Sequence, residues 1–228
     1  MRPHAVILFT GDARREEAEK GLPRRFLARL HAELGSMVRS LDEVDLYLAS
    51  DAGETFLIDG PAFVSRAAQR PLGDKVDLAL SRCFAAGYSR VAVVAGDVTG
   101  LTRELLVEAF ASLTRTTSVV GKSPDGGFYL AAFSAPSQVA WSSLPWSMPD
   151  LYEALVGQLH EPHELPSLRD IDSLGDALSA VRAVSDLRLR GRLLSLLAGH
   201  EPGVAPGQSI PRLRPRGTER LRAPPAAA

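Results

Sequence analysis

The run Val91-Ala-Val-Val-Ala-Gly-Asp97 sets a carboxylate directly after the most continuously apolar, β-branched stretch of the chain. Strands of that kind are usually central, parallel and buried on both faces. Ligands of open α/β sheets bind outside the carboxyl ends of the strands, so Asp97, with Gly96 beside it, stands where a site is expected. A lone aspartate there also serves to cap a following helix or turn, and spacing does not separate the two roles. In Lys122-Ser-Pro-Asp-Gly-Gly-Phe-Tyr129, the turn Pro124-Asp125-Gly126-Gly127 carries a carboxylate beside paired glycines. Such glycines let backbone approach a ligand closely, although a plain β-turn uses the same residues. In Arg169-Asp-Ile-Asp-Ser173 the acids alternate, so Asp170 and Asp172 share one face if the segment is extended. With Asp97 they could hold Mg2+ or Mn2+, which take oxygen ligands from carboxylates and substrate phosphates. Asp172 or Ser173 could equally cap a helix opening at Leu174.

Other chemistries find little support. There is no Gly-x-x-x-x-Gly-Lys-Ser/Thr loop, no Gly-x-Gly-x-x-Gly after the first apolar run, and no Gly-x-Ser-x-Gly elbow. The one cysteine, Cys83, lies in a helical apolar stretch and reads as a buried, inert thiol. Of five histidines only His160 and His163 are close in sequence, with no companion ligands for zinc. Trp141 and Trp146 flank Pro145 and read as core or lid aromatics, or as rings that stack on a base or sugar. A formal net charge of −1 is no electrostatic signature of nucleic-acid binding. No apolar run approaches a bilayer span, and the opening residues lack a signal-peptide pattern, so the cytoplasm is the expected compartment.

The elements that must position these residues follow from periodicity. Ala5–Thr10, Val44–Ala49, Arg90–Ala95, Thr117–Val120 and Phe128–Phe133 read as strands, with a strand-like piece at Thr55–Ile58. Helical spacing covers Arg24–Leu41, Leu72–Ala86 (ended by Gly87), Thr102–Leu113 (capped by Thr102) and Asp150–Leu159. Leu174–Leu197 reads as one or two helices with Gly191 a possible break. Alternating strands and helices predict an α/β fold with a mostly parallel, mixed sheet and helices on both faces. Residues 1–200 are expected to form one domain. From Glu201 to Ala228 apolar periodicity vanishes and Pro, Arg, Gly and Ala dominate, which predicts a disordered tail.

Taken in order, these segments resemble a bacterial family with the nucleotide-diphospho-sugar transferase (GT-A) fold. That family was long catalogued as a domain of unknown function and is often labelled glycosyltransferase. It is related to 2-phospholactate guanylyltransferase and the molybdenum-cofactor nucleotidyltransferases. The matching pieces are Gln69 followed by Leu72-Gly73-Asp74-Lys75, then Ala95-Gly96-Asp97, Asp125-Gly126-Gly127-Phe128-Tyr129-Leu130, Trp146-Ser147 and Asp170-Ile171-Asp172-Ser173. The resemblance implies a nucleotide or nucleotide-sugar ligand, an acceptor that the sequence does not identify, and a divalent metal near Asp97. It assigns catalysis to Asp97 and Asp125, and the metal to Asp97, Asp170 and Asp172. Nucleotide contacts fall to Thr10, Gly11, Arg14, Arg15, Gln69, Gly73 and Gly96. Gly126, Gly127 and Trp146 fall on the acceptor or sugar side.

The family usually follows strand one with an Ala-Pro-x-x-Gly-x-x-Lys-Thr-Arg-Leu loop. This chain has Thr10-Gly-Asp-Ala-Arg-Arg-Glu-Glu-Ala-Glu-Lys20 there. Arg14, Arg15 and Lys20, helped by Arg24 and Arg25, supply cations for a diphosphate. Asp12, Glu16, Glu17 and Glu19 oppose it with like charge. Three readings follow: a metal-dependent glycosyltransferase using a nucleotide sugar, a nucleotidyltransferase of the guanylyltransferase type, and a non-catalytic member acting as a binding module. Oligomeric state is not legible.

Overall fold

Residues 5–8 of the first apolar run are fully buried, and their side chains alternate between two cores. Ala5 and Ile7 join one cluster, Val6 and Leu8 the other. A strand with apolar residues on both faces needs cover on both, and helices provide it. The computed structural model describes residues 4–11, 13–50, 55–57 and 70–199. Gln69 and the expected tail from Glu201 lie outside the described residues.

Seven strands, β1 (His4–Thr10), β2 (Val44–Ser50), β3 (Thr55–Leu57), β4 (Val91–Ala95), β5 (Ser118–Lys122), β6 (Phe128–Phe133) and β7 (His163–Leu165), form one sheet. Their order is β3-β2-β1-β4-β6-β5-β7. β1 pairs parallel with β2 and β4, and β5 parallel with β7. β3 and β6 run antiparallel to their neighbours, so the sheet is mixed.

The helices are α1 (Ala13–Lys20), α2 (Arg24–Arg39), α3 (Leu72–Ala85), α4 (Arg103–Ser112), α5 (Leu151–Val156), α6 (Leu174–Ala183) and α7 (Leu187–Leu197). On one face, Val76, Ala79, Leu80 and Cys83 of α3 pack with Trp141, Leu151 and Leu155 against the sheet. Burial, with the charge of Asp45, pushes the Cys83 thiol up to about 12, which keeps it protonated. On the other face, Leu34 and Val38 of α2 and Leu106, Ala109 and Phe110 of α4 do the same. A third cluster joins Phe26 and Leu27 of α2 to Ala177, Val181 and Leu193 of α6 and α7.

The structure differs from the sequence expectation in three places. Residues 13–20, read as part of a loop, form α1, a charged helix whose weak apolar periodicity hides it. The short β7 was not foreseen, because three residues are too few for alternation to register. The break in the last helical stretch falls at Val184–Asp186 rather than Gly191: Asp186 accepts from the backbone N–H groups of Arg188 and Leu189 and so opens α7.

Candidate functional site

Strand direction brings the acids together. β4 ends at Ala95, so Gly96 and Asp97 lie at its carboxyl edge. β6 runs antiparallel to β4, with Leu130 opposite Val94, so the Asp125 turn before β6 lies at that same edge. β7 is parallel to β5 and ends there too. The chain after β7 then crosses the edge, held by hydrogen bonds to β5, β6 and the residues after β4. Tyr129 Oη donates to Pro166 O (2.9 Å), and Leu168 N to Lys122 O (3.2 Å). Thr99 N donates to Arg169 O (2.7 Å), and Ile171 N to Asp97 O (3.0 Å). The last two flank an antiparallel bridge between Val98 and Asp170. Ile171 is buried between Asp170 and Asp172, and alternation along the segment turns both acids to the face opposite it.

Asp125, Asp170 and Asp172 offer carboxylate oxygens that lie within 4.8 Å of one another. Burial, reinforced by the charges of Asp125 and Asp172 and more weakly by Asp97, pushes Asp170 up to about 6. Ser173, not Asp172, caps α6 by accepting from Asp176 N. Asp97 is held differently. Lys20, the last residue of α1, sets its ammonium 2.5 Å from Asp97 Oδ2 and 3.5 Å from Asp172 Oδ1. It also donates to Ile171 O at 2.9 Å. Burial works to lower the lysine's pKa, but the carboxylates outweigh it and the net shift is upward. Lys20 is thus a tethered cation between Asp97 and Asp172.

The turn that carries Asp125 is closely fitted. Asp125 Oδ1 accepts from Gly127 N at 2.9 Å, and Gly126 O accepts from Tyr152 N at 2.8 Å. Gly126 has φ +95°, and a Cβ there would lie 1.8 Å from Pro149 O. Only glycine fits both requirements. Gly96 is equally confined: a Cβ would lie 2.6 Å from Phe9 O, 3.0 Å from the Thr10 methyl and 3.2 Å from His31 Nε2. Thr10, Gly96 and Asp97 therefore meet where β1 and β4 end side by side.

Gly11 is there as well, but Glu16 curls over it, its Oε1 2.6 Å from where a Cβ would be. The space in which Gly11 was expected to meet phosphate holds a buried carboxylate. Arg24 pairs with Glu17 at 2.8 Å. Arg14 and Arg15 lie on α1, and their side chains are outside the described residues, as is Gln69. Gly73 packs elsewhere: a Cβ would lie 2.2 Å from Trp141 O and 2.6 Å from Trp146 Nε1. Trp146 donates to Trp141 O, stacks on Trp141 and stands 6.0 Å from the Phe128 ring, just after the glycine pair. Gly73 and Trp146 thus pack with Trp141, and Trp146 reaches Phe128, the residue after the glycine pair.

Sequence reasoning passed over His31. It lies on the inner face of α2, in line with Leu27 and Leu34 at helical spacing, which is the signal that could have found it. Its Nε2 is buried without a hydrogen-bond partner. Burial lowers its pKa to about 4; the charge of Asp97 opposes that and Lys20 adds to it. The ring is neutral at physiological pH and forms part of the floor under Asp97.

The fold and this edge site define a nucleotide-diphospho-sugar transferase-like architecture. The chain superposes on the crystal structure of a "putative nucleotide-diphospho-sugar transferase" from Desulfovibrio desulfuricans G20 with a TM-score of 0.63, covering 88% of this chain and 99% of that one at 20% identity. Looser likenesses are to Rv0371c from Mycobacterium tuberculosis H37Rv (TM-score 0.45, 15% identity, 79% and 98% covered) and to CMP:2-keto-3-deoxy-manno-octonic acid synthetase complexed with CTP (0.49, 11%, 79% and 97%). At such identities the first shows the fold, and the looser two add nothing to it. Residues 37–148 match the family described as "Uncharacterized protein conserved in bacteria (DUF2064)". The family that the motifs resemble is thus the one that this match returns. The matched stretch holds Asp97, the Asp125 turn and Trp146, and stops short of Asp170 and Asp172. Among curated proteins, none matches this chain.

Proposed function

We propose that this protein is a metal-dependent glycosyltransferase that takes a nucleotide-sugar donor at the carboxyl edge of its sheet, within one nucleotide-binding unit spanning residues 1–200. Fold alone does not carry an activity. The observation that carries this reading is the convergence of Asp97, Asp125, Asp170 and Asp172, from three separate segments, on one edge of the sheet. Like charges so close are costly unless something neutralises them.

A divalent cation fits the donor set. All three clustered ligands are carboxylate oxygens, as Mg2+ or Mn2+ prefers. Opposite oxygens around such an ion are separated by roughly 4–5 Å, comparable with the 4.8 Å spread of Asp125, Asp170 and Asp172. These three would hold the ion, with Asp97 beside them. When bound, it would neutralise a diphosphate and the charge that develops there as the bond to the leaving group breaks. Thr10 and Gly96 would form the floor of the nucleotide cradle. The Gly126–Gly127 backbone, with Trp146 reaching Phe128 beside it, would face the sugar or acceptor.

A second reading is favoured by a specific observation. Glu16 over Gly11 and Lys20 on Asp97 fill with α1 the place where phosphates would meet the first loop. On that reading the chain is a binding module that no longer transfers a group. Thermal shift of the purified protein against NTPs, NDPs and NDP-sugars, with and without Mn2+, separates the readings. A ligand that binds only the folded state raises the melting temperature. A Mn2+-dependent rise with NDP-sugars, lost in Asp97→Ala, supports the glycosyltransferase. A rise with free NTPs and release of pyrophosphate would point to the nucleotidyltransferase. No rise across the panel would favour the module.

A further inference from the structure

α1 reaches the acid site through its last residue, and charge rather than apolar packing holds it there. Its described side chains are Glu16, Glu17, Ala18, Glu19 and Lys20, and Ala18 is exposed. None of them joins the three apolar clusters. A helix of eight residues is marginal in water without such packing. Glu17 pairs with Arg24 of α2 at 2.8 Å. The Lys20 side chain is 14% exposed, and its ammonium lies 2.5 Å from Asp97 Oδ2, 3.5 Å from Asp172 Oδ1 and 2.9 Å from Ile171 O. The residue after it, Gly21, has φ +65°, with no atom within 4 Å of where a Cβ would be. Leu22 beyond is fully buried in the third cluster. A polar helix thus meets a buried anchor through a glycine with open space around it, the kind of position that absorbs a hinge motion. Asp172 is claimed twice. It pairs with Lys20, and it belongs with Asp125 and Asp170 to the cluster whose oxygens lie within 4.8 Å of one another.

We propose that α1 is a strap, latched by Lys20, that a divalent cation at Asp125, Asp170 and Asp172 releases. This rests on the metal site of the proposed function and adds an order of events to it. The ion takes Asp172 from Lys20, and the two cations repel each other across that carboxylate. The ion answers three carboxylates at once, the ammonium two. Glu16 leaves with the strap. Its carboxylate fills the space over Gly11, so release clears both a side chain and a negative charge from the end of β1. The metal therefore opens the place where phosphates would enter, and binds before the nucleotide. With α1 in place, ion and ammonium would share Asp172 while Glu16 faced any diphosphate, two like-charge contacts in one site.

The test is amide hydrogen exchange of the full chain, read by mass spectrometry in EDTA and in Mn2+ at equal ionic strength and without nucleotide. Calorimetry on the same samples measures Mn2+ binding. Peptides covering α1 should exchange about tenfold faster in Mn2+, the protection that one charged hydrogen bond supplies, while α3 keeps its rate. Lys20→Met should show the fast α1 rate already in EDTA, with α3 still slow, and Mn2+ should add little. Mn2+ bound by calorimetry with α1 exchange unchanged or slowed overturns the strap and leaves the metal site standing. Lys20→Met with α1 as protected as in the parent overturns the latch. KCl that speeds α1 as much as Mn2+ does would assign the opening to general screening and overturn the proposal too. Absence of Mn2+ binding in both proteins overturns the metal site and, with it, the trigger.

Discussion

Replacing Asp170 by asparagine removes a charge from a crowded place while keeping the shape of the side chain. In the folded protein Asp170 titrates at about 6, against an ordinary value of 3.8. Above pH 6 the carboxylate is ionised in both folded and unfolded chains, and the fold bears the full cost of that charge. Between about pH 4 and 6 the folded chain binds the proton more tightly, so stability rises as pH falls. Below pH 4 both states are protonated and the cost is gone. A shift of some two units corresponds to at most about 3 kcal/mol. Asp170 is only about half buried, so solvent screening cuts this to about 1 kcal/mol. Asp170→Asn should therefore be more stable than the parent by about 1 kcal/mol at pH 7.5 in chelator, a rise of roughly 2–4 °C in melting temperature for a chain of this size. The advantage should fade by pH 4. The bridge to Val98 is made by backbone and survives the change. With Mn2+ the order should invert, because the parent keeps its third carboxylate and gains stability by binding the ion. The assay is thermal unfolding of both proteins from pH 4 to 8, in EDTA and in Mn2+. A variant less stable than the parent at pH 7.5 in EDTA, or a difference that does not change with pH, would refute the charge-crowding argument.

Lys20→Met removes the tethered cation from Asp97 and Asp172, so it should lower stability in EDTA and tighten binding of Mn2+, measured by calorimetry; unchanged Mn2+ affinity would show that the lysine does not compete for these carboxylates. Gly126→Ala combines a left-handed φ with a collision against Pro149 O, and should cost about 2–4 kcal/mol by urea unfolding. A cost under 1 kcal/mol there would mean that the turn relaxes freely. His31 titrates at about 4 when folded, against 6.5, so between those values the unfolded chain takes up a proton that the fold refuses, and stability falls as pH falls. His31→Gln should flatten that limb of the stability curve, by up to about 3 kcal/mol at pH 4; a parent curve already flat from 6.5 to 4 would contradict the burial of the ring.

How much of this was legible beforehand depends on the range over which each interaction acts. The strand ending at Asp97 and the cap Thr102 could be read because their causes lie within a few residues, and the choice between Asp172 and Ser173 as a cap, left open by the sequence, falls to Ser173. That Asp97 stands at the carboxyl edge was read from the strand before it; grouping it with Asp125 rested on the family resemblance, and strand direction brings Asp97, Asp125, Asp170 and Asp172 to one edge. Two things depended on contacts far apart in sequence. Lys20 reaches Asp97 across 77 positions and Ile171 across 151, and no spacing rule spans such gaps. The Asp125–Asp170 pairing needs β7, three residues long, to return the chain across the sheet edge. Gly73 shows the opposite hazard. Gly73 was grouped with the nucleotide contacts by resemblance, and what its missing side chain accommodates in the fold is the backbone of Trp141 and the indole of Trp146. A glycine in sequence announces only that something comes close. The same holds for α1, where acid and base alternate so densely that the stretch reads as solvated. Folded, it puts Glu16 over Gly11 and Lys20 on Asp97, so its charges act at the ends of β1 and β4. The residues that most affect whether phosphate can enter this site are therefore the ones whose local pattern says least. Under the proposed function, whether α1 stays in place or gives way on addition of a nucleotide would separate a working transferase from a binding module.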